Sequence, residues 1–139
     1  MARAKLWIIG SASMAAGLLL TAAQQPSALA QTHAGLWEVT GAPGSKAPER
    51  QCLANITSLA EFEHRGKACH PKVISNDATS MVIEYSCGSA GFGRSQLTVI
   101  TPRSLRIETQ GISNRLPFNY TLQARRIGDC PAGTIPPRH

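Results

Sequence analysis

The sequence lacks every short motif that would point to a common catalytic site. It has no G-x-S-x-G nucleophile elbow, no H-E-x-x-H pair of zinc ligands and no glycine-rich phosphate-binding loop. No nucleophile with an adjacent base is visible in the order of its residues. We therefore predict a protein that is not an enzyme, with no catalytic residue, no metal ligand and no cofactor.

Long apolar runs are also scarce, because the sequence has a single one, the fifteen residues Leu6–Leu20. Two basic residues precede it, and residues 28–30 (A-L-A) supply the A-x-A pattern that signal peptidase recognises. The run is shorter than the roughly 20 apolar residues of a membrane-spanning helix. We therefore predict a signal peptide over residues 1–30, cleaved between Ala30 and Gln31. The exported mature chain should have no transmembrane segment.

Cysteine is rare, and all four cysteines follow the predicted cleavage site. An even number in a small exported domain predicts disulfides, and the sequence separations of 17, 18 and 43 contain no C-x-x-C pattern for zinc. Four cysteines allow three pairings, which spacing alone does not distinguish. We favour Cys52–Cys69 and Cys87–Cys130, because a short helix between the first two would let the chain double back.

Basic residues outnumber acidic ones but form no cluster. After the predicted cleavage, twelve Lys and Arg face eight Asp and Glu, a net charge of +4 (12 − 8), and no basic run exceeds two residues. Without a nucleic-acid-binding motif, this pattern is typical of a solvated surface, so we expect no nucleic acid partner. The alternative is a basic patch for an anionic polymer or protein.

Alternating apolar and polar residues predict a mainly β domain over residues 31–130. The clearest run is Met81–Cys87, and three similar runs follow it before residue 126. Such alternation is typical of an antiparallel sheet with one packed face and one wet face. We predict a curved antiparallel sheet or half-barrel of about six strands, stapled by disulfides, with a flexible, proline-rich tail at residues 131–139.

One short helix is predicted between the early strands. Ser58 and Glu61 have the spacing of a capping box, in which the two side chains bond each other's backbone N–H groups. Leu59 and Phe62 would share an apolar face, and Gly66 is the expected end of the helix. This helix is the available cover for the apolar face of the sheet.

Candidate binding residues are few. Trp37, the single tryptophan of the mature chain, is predicted to be a core anchor on the first strand, with the floor of an apolar ligand cavity as the alternative. Tyr85, Phe118 and Tyr120 complete this candidate ligand face. The glycine-rich stretch Gly91–Arg94 is predicted to be a hairpin loop, with a backbone anion-binding site as the alternative.

The four histidines of the mature chain are spread widely, at positions 33, 64, 70 and 139. Two lie near the ends and two lie in or just after the predicted helix. This spread predicts surface positions rather than a shared site.

Four segments together form a recognisable pattern: Gly35–Thr40 (G-L-W-E-V-T), Gln51–Leu53 (Q-C-L), Tyr85–Cys87 (Y-S-C) and Ala124–Cys130 (A-R-R-I-G-D-C). Through them, over roughly residues 35–130, the chain resembles DUF3617, a bacterial family of unknown function. The resemblance implies a small periplasmic protein with four cysteines and no assigned activity. The chain is shorter between Thr40 and Cys52, where the family pattern often carries a methionine-rich loop.

Three functions remain open at this point. The first is a periplasmic binding or interaction domain that uses an apolar sheet face to hold an apolar ligand or an envelope partner. The second is a module whose basic surface binds an anionic envelope polymer or protein, and such binding should weaken steeply with salt. The third is a small hydrolase with a site assembled from distant residues.

Overall fold

A computed structural model describes residues 24–134, and most of the predicted signal peptide and residues 135–139 of the predicted tail lie outside this range. The described residues form one antiparallel sheet with short helices beside it. Seven strands are present in this range: β1 (Gly35–Thr40), β2 (Glu49–Leu53), β3 (His70–Asn76), β4 (Ser80–Ser86), β5 (Gly91–Thr101), β6 (Ser104–Ser113) and β7 (Leu116–Gly128).

The strands are ordered β2-β1-β7-β6-β5-β4-β3 across the sheet, and every neighbouring pair is antiparallel. The sheet is open, with β2 and β3 at its edges. The predicted mainly β, antiparallel fold is therefore confirmed, although it has seven strands rather than about six. The extra strand is β2, whose E-R-Q-C-L sequence has no apolar alternation and buries only Leu53 fully.

Side chains alternate between a packed face and a solvent face. On the central strands, Leu97, Leu105, Ile107 and Leu122 are at most 1% exposed. Their neighbours along each strand point to the other side and are mostly exposed, as the two-residue period of a strand requires. The core therefore lies on one face only.

The packed face is covered by a nine-residue 3₁₀ helix, Ile56–His64, which we call the cover helix. Ile56, Leu59 and Phe62 are three residues apart and at most 1% exposed. Because a 3₁₀ helix has three residues per turn, this spacing aligns the three side chains on one side. The cover helix contacts the central strands β4, β5 and β6.

The start of the cover helix differs from the predicted capping box. Asn55 caps the helix, since its Oδ1 accepts a hydrogen bond of 2.9 Å from the N–H of Thr57. Ser58 lies inside the helix, and Glu61 has a non-helical backbone at a kink. The capping-box prediction was wrong because a 3₁₀ helix begins earlier, at Ile56, where an Asx side chain already satisfies the free backbone N–H groups.

The two disulfides are Cys52–Cys130 and Cys69–Cys87, with Cα–Cα distances of 5.4 and 4.1 Å. Our favoured pairing, Cys52–Cys69 with Cys87–Cys130, was therefore wrong. The reason is topological. β1 lies between β2 and β7, and the segment that follows β7 continues past the start of β1 to Cys52 of β2. The β3–β4 pairing likewise brings together Cys69 and Cys87, which lie just beyond the end of its ladder. Both ends of the cover-helix segment are consequently fastened to the sheet.

A short helix, α1 (Ala28–Gln31), precedes the sheet and contains the predicted cleavage point between Ala30 and Gln31. Ala28 is fully buried, and its N–H donates a 2.6 Å hydrogen bond to the carbonyl of Asp77 in the β3–β4 turn. The Gln31 side chain donates to the carbonyl of Ala78 in the same turn. In the uncleaved chain, these residues therefore form part of the fold.

Candidate functional site

A groove of about 820 Å³ lies on the solvent face of the sheet, near one end of strands β3 to β7. Its volume is within the range of sites for small molecules, roughly 300–1,000 Å³. Most of its walls come from two cross-strand rows of side chains. The strand register determines which residues belong to each row.

The first row, which we call the polar row, crosses five strands. Its members lie directly opposite one another in the ladder, from β3 to β7: Lys72, Glu84, Arg94, Gln110 and Asn119. All five are exposed and belong to the solvent face by alternation. No short sequence motif connects them, because each comes from a different strand.

The second row, which we call the rim row, lies two residues further along each strand: His70, Ser86, Phe92 and Ile112. The Phe92 side chain is 56% exposed, which is unusual for so large an apolar ring. Between the two rows, Gly93 and Gly111 face each other in the ladder and form part of the groove floor. The groove therefore has one polar wall and one partly apolar wall.

Charges in the polar row are paired across strands. Arg94 forms an ion pair with Glu84, and each side chain is 48% exposed. Lys72 lies opposite Glu84 on the other side, in β3. Exposed pairs of this kind contribute about 0–1 kcal/mol to stability, so their rearrangement costs little.

A smaller cavity of about 290 Å³ continues the groove along the solvent face. It shares Arg94, Gln110 and Asn119 with the groove and adds Gln96 and Glu108. Glu108 accepts a 3.1 Å hydrogen bond from Arg106 of the same strand. The combined surface is rich in amides, and three of its charged residues, Glu84, Arg94 and Glu108, take part in ion pairs.

The residues predicted as a ligand face lie on or near the packed face. Trp37 is fully buried, and its indole N–H donates a 3.2 Å hydrogen bond to the carbonyl of His33. Trp37 and Tyr120 do not line the groove, whereas Tyr85 and Phe118 are among its lining residues. The ring of Tyr85 nevertheless contacts His64 beneath the cover helix.

His64 was predicted to be at the surface but is 3% exposed. Its Nε2 lies 3.0 Å from the carbonyl of Ala90, which can only accept, so this nitrogen carries a proton and donates it, and its Nδ1 lies 3.2 Å from the Tyr85 hydroxyl. The ring also packs edge-on against Phe118. The surface prediction was wrong because the end of the cover helix packs this residue against Tyr85 and Phe118 of the sheet, and such long-range contacts leave no local pattern in the sequence.

Burial raises the pKa of Tyr85 to about 12, and the nearby carboxylates of Glu63 and Glu61 add to this effect. The pKa of Tyr120 is also raised, first by burial and then by the 2.8 Å hydrogen bond that its hydroxyl donates to Glu63. Both phenols are therefore neutral and act as hydrogen-bond donors at ordinary pH. They stabilise the cover helix against the sheet.

A buried hydroxyl pair was missed by the sequence analysis. Ser95 and Thr109 are 0% and 2% exposed, lie opposite each other in the ladder and have their oxygens 2.8 Å apart. Ser95 donates a 2.6 Å hydrogen bond to the carbonyl of Ala60, next to the kink at Glu61. The pair satisfies a helix carbonyl, and its only sequence signal is a hydroxyl at a position where alternation predicts an apolar residue.

Gly91–Arg94 was predicted to be a hairpin loop, but it forms the start of β5. Its glycines are needed for close packing: a Cβ on Gly91 would lie 1.9 Å from the carbonyl oxygen of Ile112, and one on Gly93 would lie 2.5 Å from the hydroxyl oxygen of Tyr85. The loop prediction was wrong because glycine serves here as a spacer between strands. Phe92 and Arg94, the other members of this stretch, line the groove instead.

Two further features are absent from residues 24–134. Within this range, no helix combines the length and apolarity needed to cross a membrane. Among the same residues, no group of three or more His, Cys, Asp or Glu is arranged to hold a metal ion.

Fold and groove together define a small disulfide-bonded protein with a single antiparallel sheet, covered on one face and open on the other. A family model described as "Protein of unknown function (DUF3617)" matches residues 32–130, so the chain belongs to this family. The suspected family membership is thereby confirmed. Comparisons with curated proteins and with solved structures find no match.

Proposed function

We propose that this protein is an exported, non-catalytic binding domain whose ligand occupies the groove on the solvent face. The observation that carries the proposal is the groove itself, a cavity of about 820 Å³ with Phe92 half exposed in its wall. A large exposed ring next to a cavity is typical of a surface that binds something. The amide and charged side chains of the polar row supply directional contacts for such a ligand.

The packed face has less to offer as a ligand site. The cover helix fills it, and Trp37 at one side of the core has no cavity beside it among those described. The sequence predicted a ligand on the apolar face of the sheet, and we instead propose a ligand site on the opposite, solvent face. There, the apolar part of the site consists of Phe92 and Ile112 of the rim row together with Tyr85 and Phe118.

Export is supported by the N-terminal sequence and by two disulfides, which persist in oxidising compartments. We propose that a signal peptidase cleaves the extended chain after Ala30 before folding, because the folded chain buries Ala28. Intact-mass analysis of protein recovered from cells tests this step. A mature chain that begins at Gln31 with no free thiol supports export, and a full-length chain with four thiols contradicts it.

Native mass spectrometry tests the binding function. The full-length gene is expressed in a Gram-negative host, the exported protein is purified without denaturant, and it is incubated with soluble extract from the same compartment. We expect an added mass on the wild-type protein that is lost in the double variant Phe92→Ala/Gln110→Ala, since both residues line the groove.

The matched control is Ile100→Ala/Gln123→Ala. Ile100 is 60% exposed, Gln123 is exposed, and neither lines the groove. The control should keep the added mass. An added mass that survives equally in both double variants would place binding elsewhere, and a wild-type protein that never carries one would refute the binding function.

A further inference from the structure

We propose that the ligand of the groove is a neutral, hydroxyl-rich molecule, namely a glycan chain. This inference rests on the proposed binding function and specifies the chemistry that the groove recognises. Three features of the solvent face carry it: the amides, the pairing of charges, and the exposed ring of Phe92.

The amides come first. Gln96, Gln110 and Asn119 line the groove and its continuation, each on a different strand. A side-chain amide both donates and accepts hydrogen bonds, as a sugar hydroxyl does. Gln110 and Asn119 lie opposite each other on neighbouring strands, about 4.8 Å apart, and Gln96 lies two residues along β5 from Arg94, the partner of Gln110. These amides therefore offer several two-way contacts to a chain of hydroxyls on this face.

The pairing of charges argues against an anionic ligand. Arg94 is bonded to Glu84, and Glu108 is bonded to Arg106, so Lys72, which lies opposite Glu84, leaves an excess of a single positive charge among these five groups. A surface of this kind has little net field to attract a polyanion. Its guanidinium and carboxylate groups nevertheless remain good hydrogen-bond partners for hydroxyls.

The exposed ring provides the apolar contact. Phe92 lies opposite Ile112 in the ladder and is 56% exposed. A sugar ring has one face of C–H groups, and an aromatic side chain offers a large apolar surface to such a face. The polar row lies two residues along the strand from Phe92. The hydroxyls at the edge of a sugar that packs on this ring can therefore reach the polar row.

The open wall of the groove argues against a lipid chain. The side chains of Arg94 and Glu84 are each about half exposed, so a ligand here keeps one side in water. An acyl chain gains stability roughly in proportion to the apolar area it removes from water, and much of that gain is lost in an open groove. A glycan loses little, because its outward hydroxyls stay solvated.

Calorimetric titration of the mature, oxidised protein tests the proposal with defined probes. The neutral probes are maltohexaose, cellohexaose and chitohexaose, and the counter-probes are sodium oleate and dextran sulfate. We expect at least one neutral oligosaccharide to bind in the micromolar to millimolar range. Phe92→Ala and Gln110→Ala should each weaken that binding about tenfold, whereas Ile100→Ala and Gln123→Ala leave it unchanged.

The remaining outcomes separate this proposal from the proposed function. Binding of oleate with the same dependence on Phe92, and of no oligosaccharide, would overturn the glycan while leaving the groove as a ligand site. Binding of dextran sulfate alone, weakening with salt, would also overturn it in favour of a basic surface. If no probe binds while the extract still adds mass that depends on Phe92, the ligand is not a simple neutral glycan and the inference is wrong.

Discussion

Phe62 and Phe92 have the same side chain but lie on opposite faces of the sheet. Phe62 lies on the cover helix and is 1% exposed against the packed face, whereas Phe92 stands on the solvent face and is 56% exposed. The first is surrounded by core residues, and the second lies beside polar side chains of the groove. The difference teaches that the packed face stabilises the fold, which leaves the opposite face available for the binding that we propose.

This division has a physical basis in the strand period. Neighbouring residues of β5 alternate between the two faces, so Ser95 can hold the cover helix while Arg94 lines the groove. Changes on one face should therefore leave the other largely intact.

The disulfides should give the largest effect, because they fasten both ends of the cover-helix segment. Cys52–Cys130 spans 78 residues and Cys69–Cys87 spans 18. On the chain-entropy estimate, we expect C52S/C130S to lower the free energy of unfolding by about 4.5 kcal/mol and C69S/C87S by about 3 kcal/mol. Urea unfolding of the two double variants measures this order, and equal losses would show that loop length is not the controlling factor.

The next largest effect on the unfolding free energy should come from Phe62, and the effect of Phe92 should be much smaller. Phe62→Ala removes a fully buried ring and should cost about 3–5 kcal/mol of unfolding free energy. Phe92→Ala should change it by less than about 0.5 kcal/mol, since the ring is mostly solvated. Urea unfolding tests both variants under the same conditions. A large loss for Phe92→Ala would mean that the solvent face also carries the fold.

Alkaline pH should weaken the packed face through Tyr85. Its folded-state pKa is raised from 10.0 to about 12, so the neutral phenol favours folding below pH 10 and that contribution disappears as the pH rises through 12. The shift corresponds to about 2–3 kcal/mol. Unfolding free energies at pH 9 and above should fall less steeply for Tyr85→Phe than for the wild type, and parallel slopes would contradict this role.

The ion pair of the groove should give the smallest effect. Glu84→Gln removes the partner of Arg94 on a half-exposed surface, so the unfolding free energy should change by less than about 1 kcal/mol. The matched variant Glu108→Gln removes the partner of Arg106 and should behave in the same way. A loss of several kcal/mol at Glu84 would reveal a structural role for the polar row.

Much of the fold was accessible from the sequence because alternation is a local signal. The runs around Met81–Cys87 and Phe118–Arg125 predicted strands with one packed face, and both lie within observed strands for most of their length. The short helix was placed on the correct segment, although its type and its first residue were wrong. Local patterns therefore identified the elements but not how they meet.

The candidate site was much less accessible, because it depends on register. The polar row consists of five ordinary polar residues that only the ladder aligns across five strands: Lys72, Glu84, Arg94, Gln110 and Asn119. The disulfide pairing failed for the same reason, since it follows from the position of β7 beside β1. Both features need long-range pairings that no local pattern records.

The central claim is that ligand recognition lies on the solvent face, across the polar and rim rows. Backbone amide chemical shifts of isotopically labelled, oxidised protein, recorded while compartment extract or an oligosaccharide is added, test it most directly. We expect the largest changes at Phe92, Arg94 and Gln110, with small changes at Phe62 and Trp37. Changes centred on Phe62, Trp37 and the cover helix would contradict the claim.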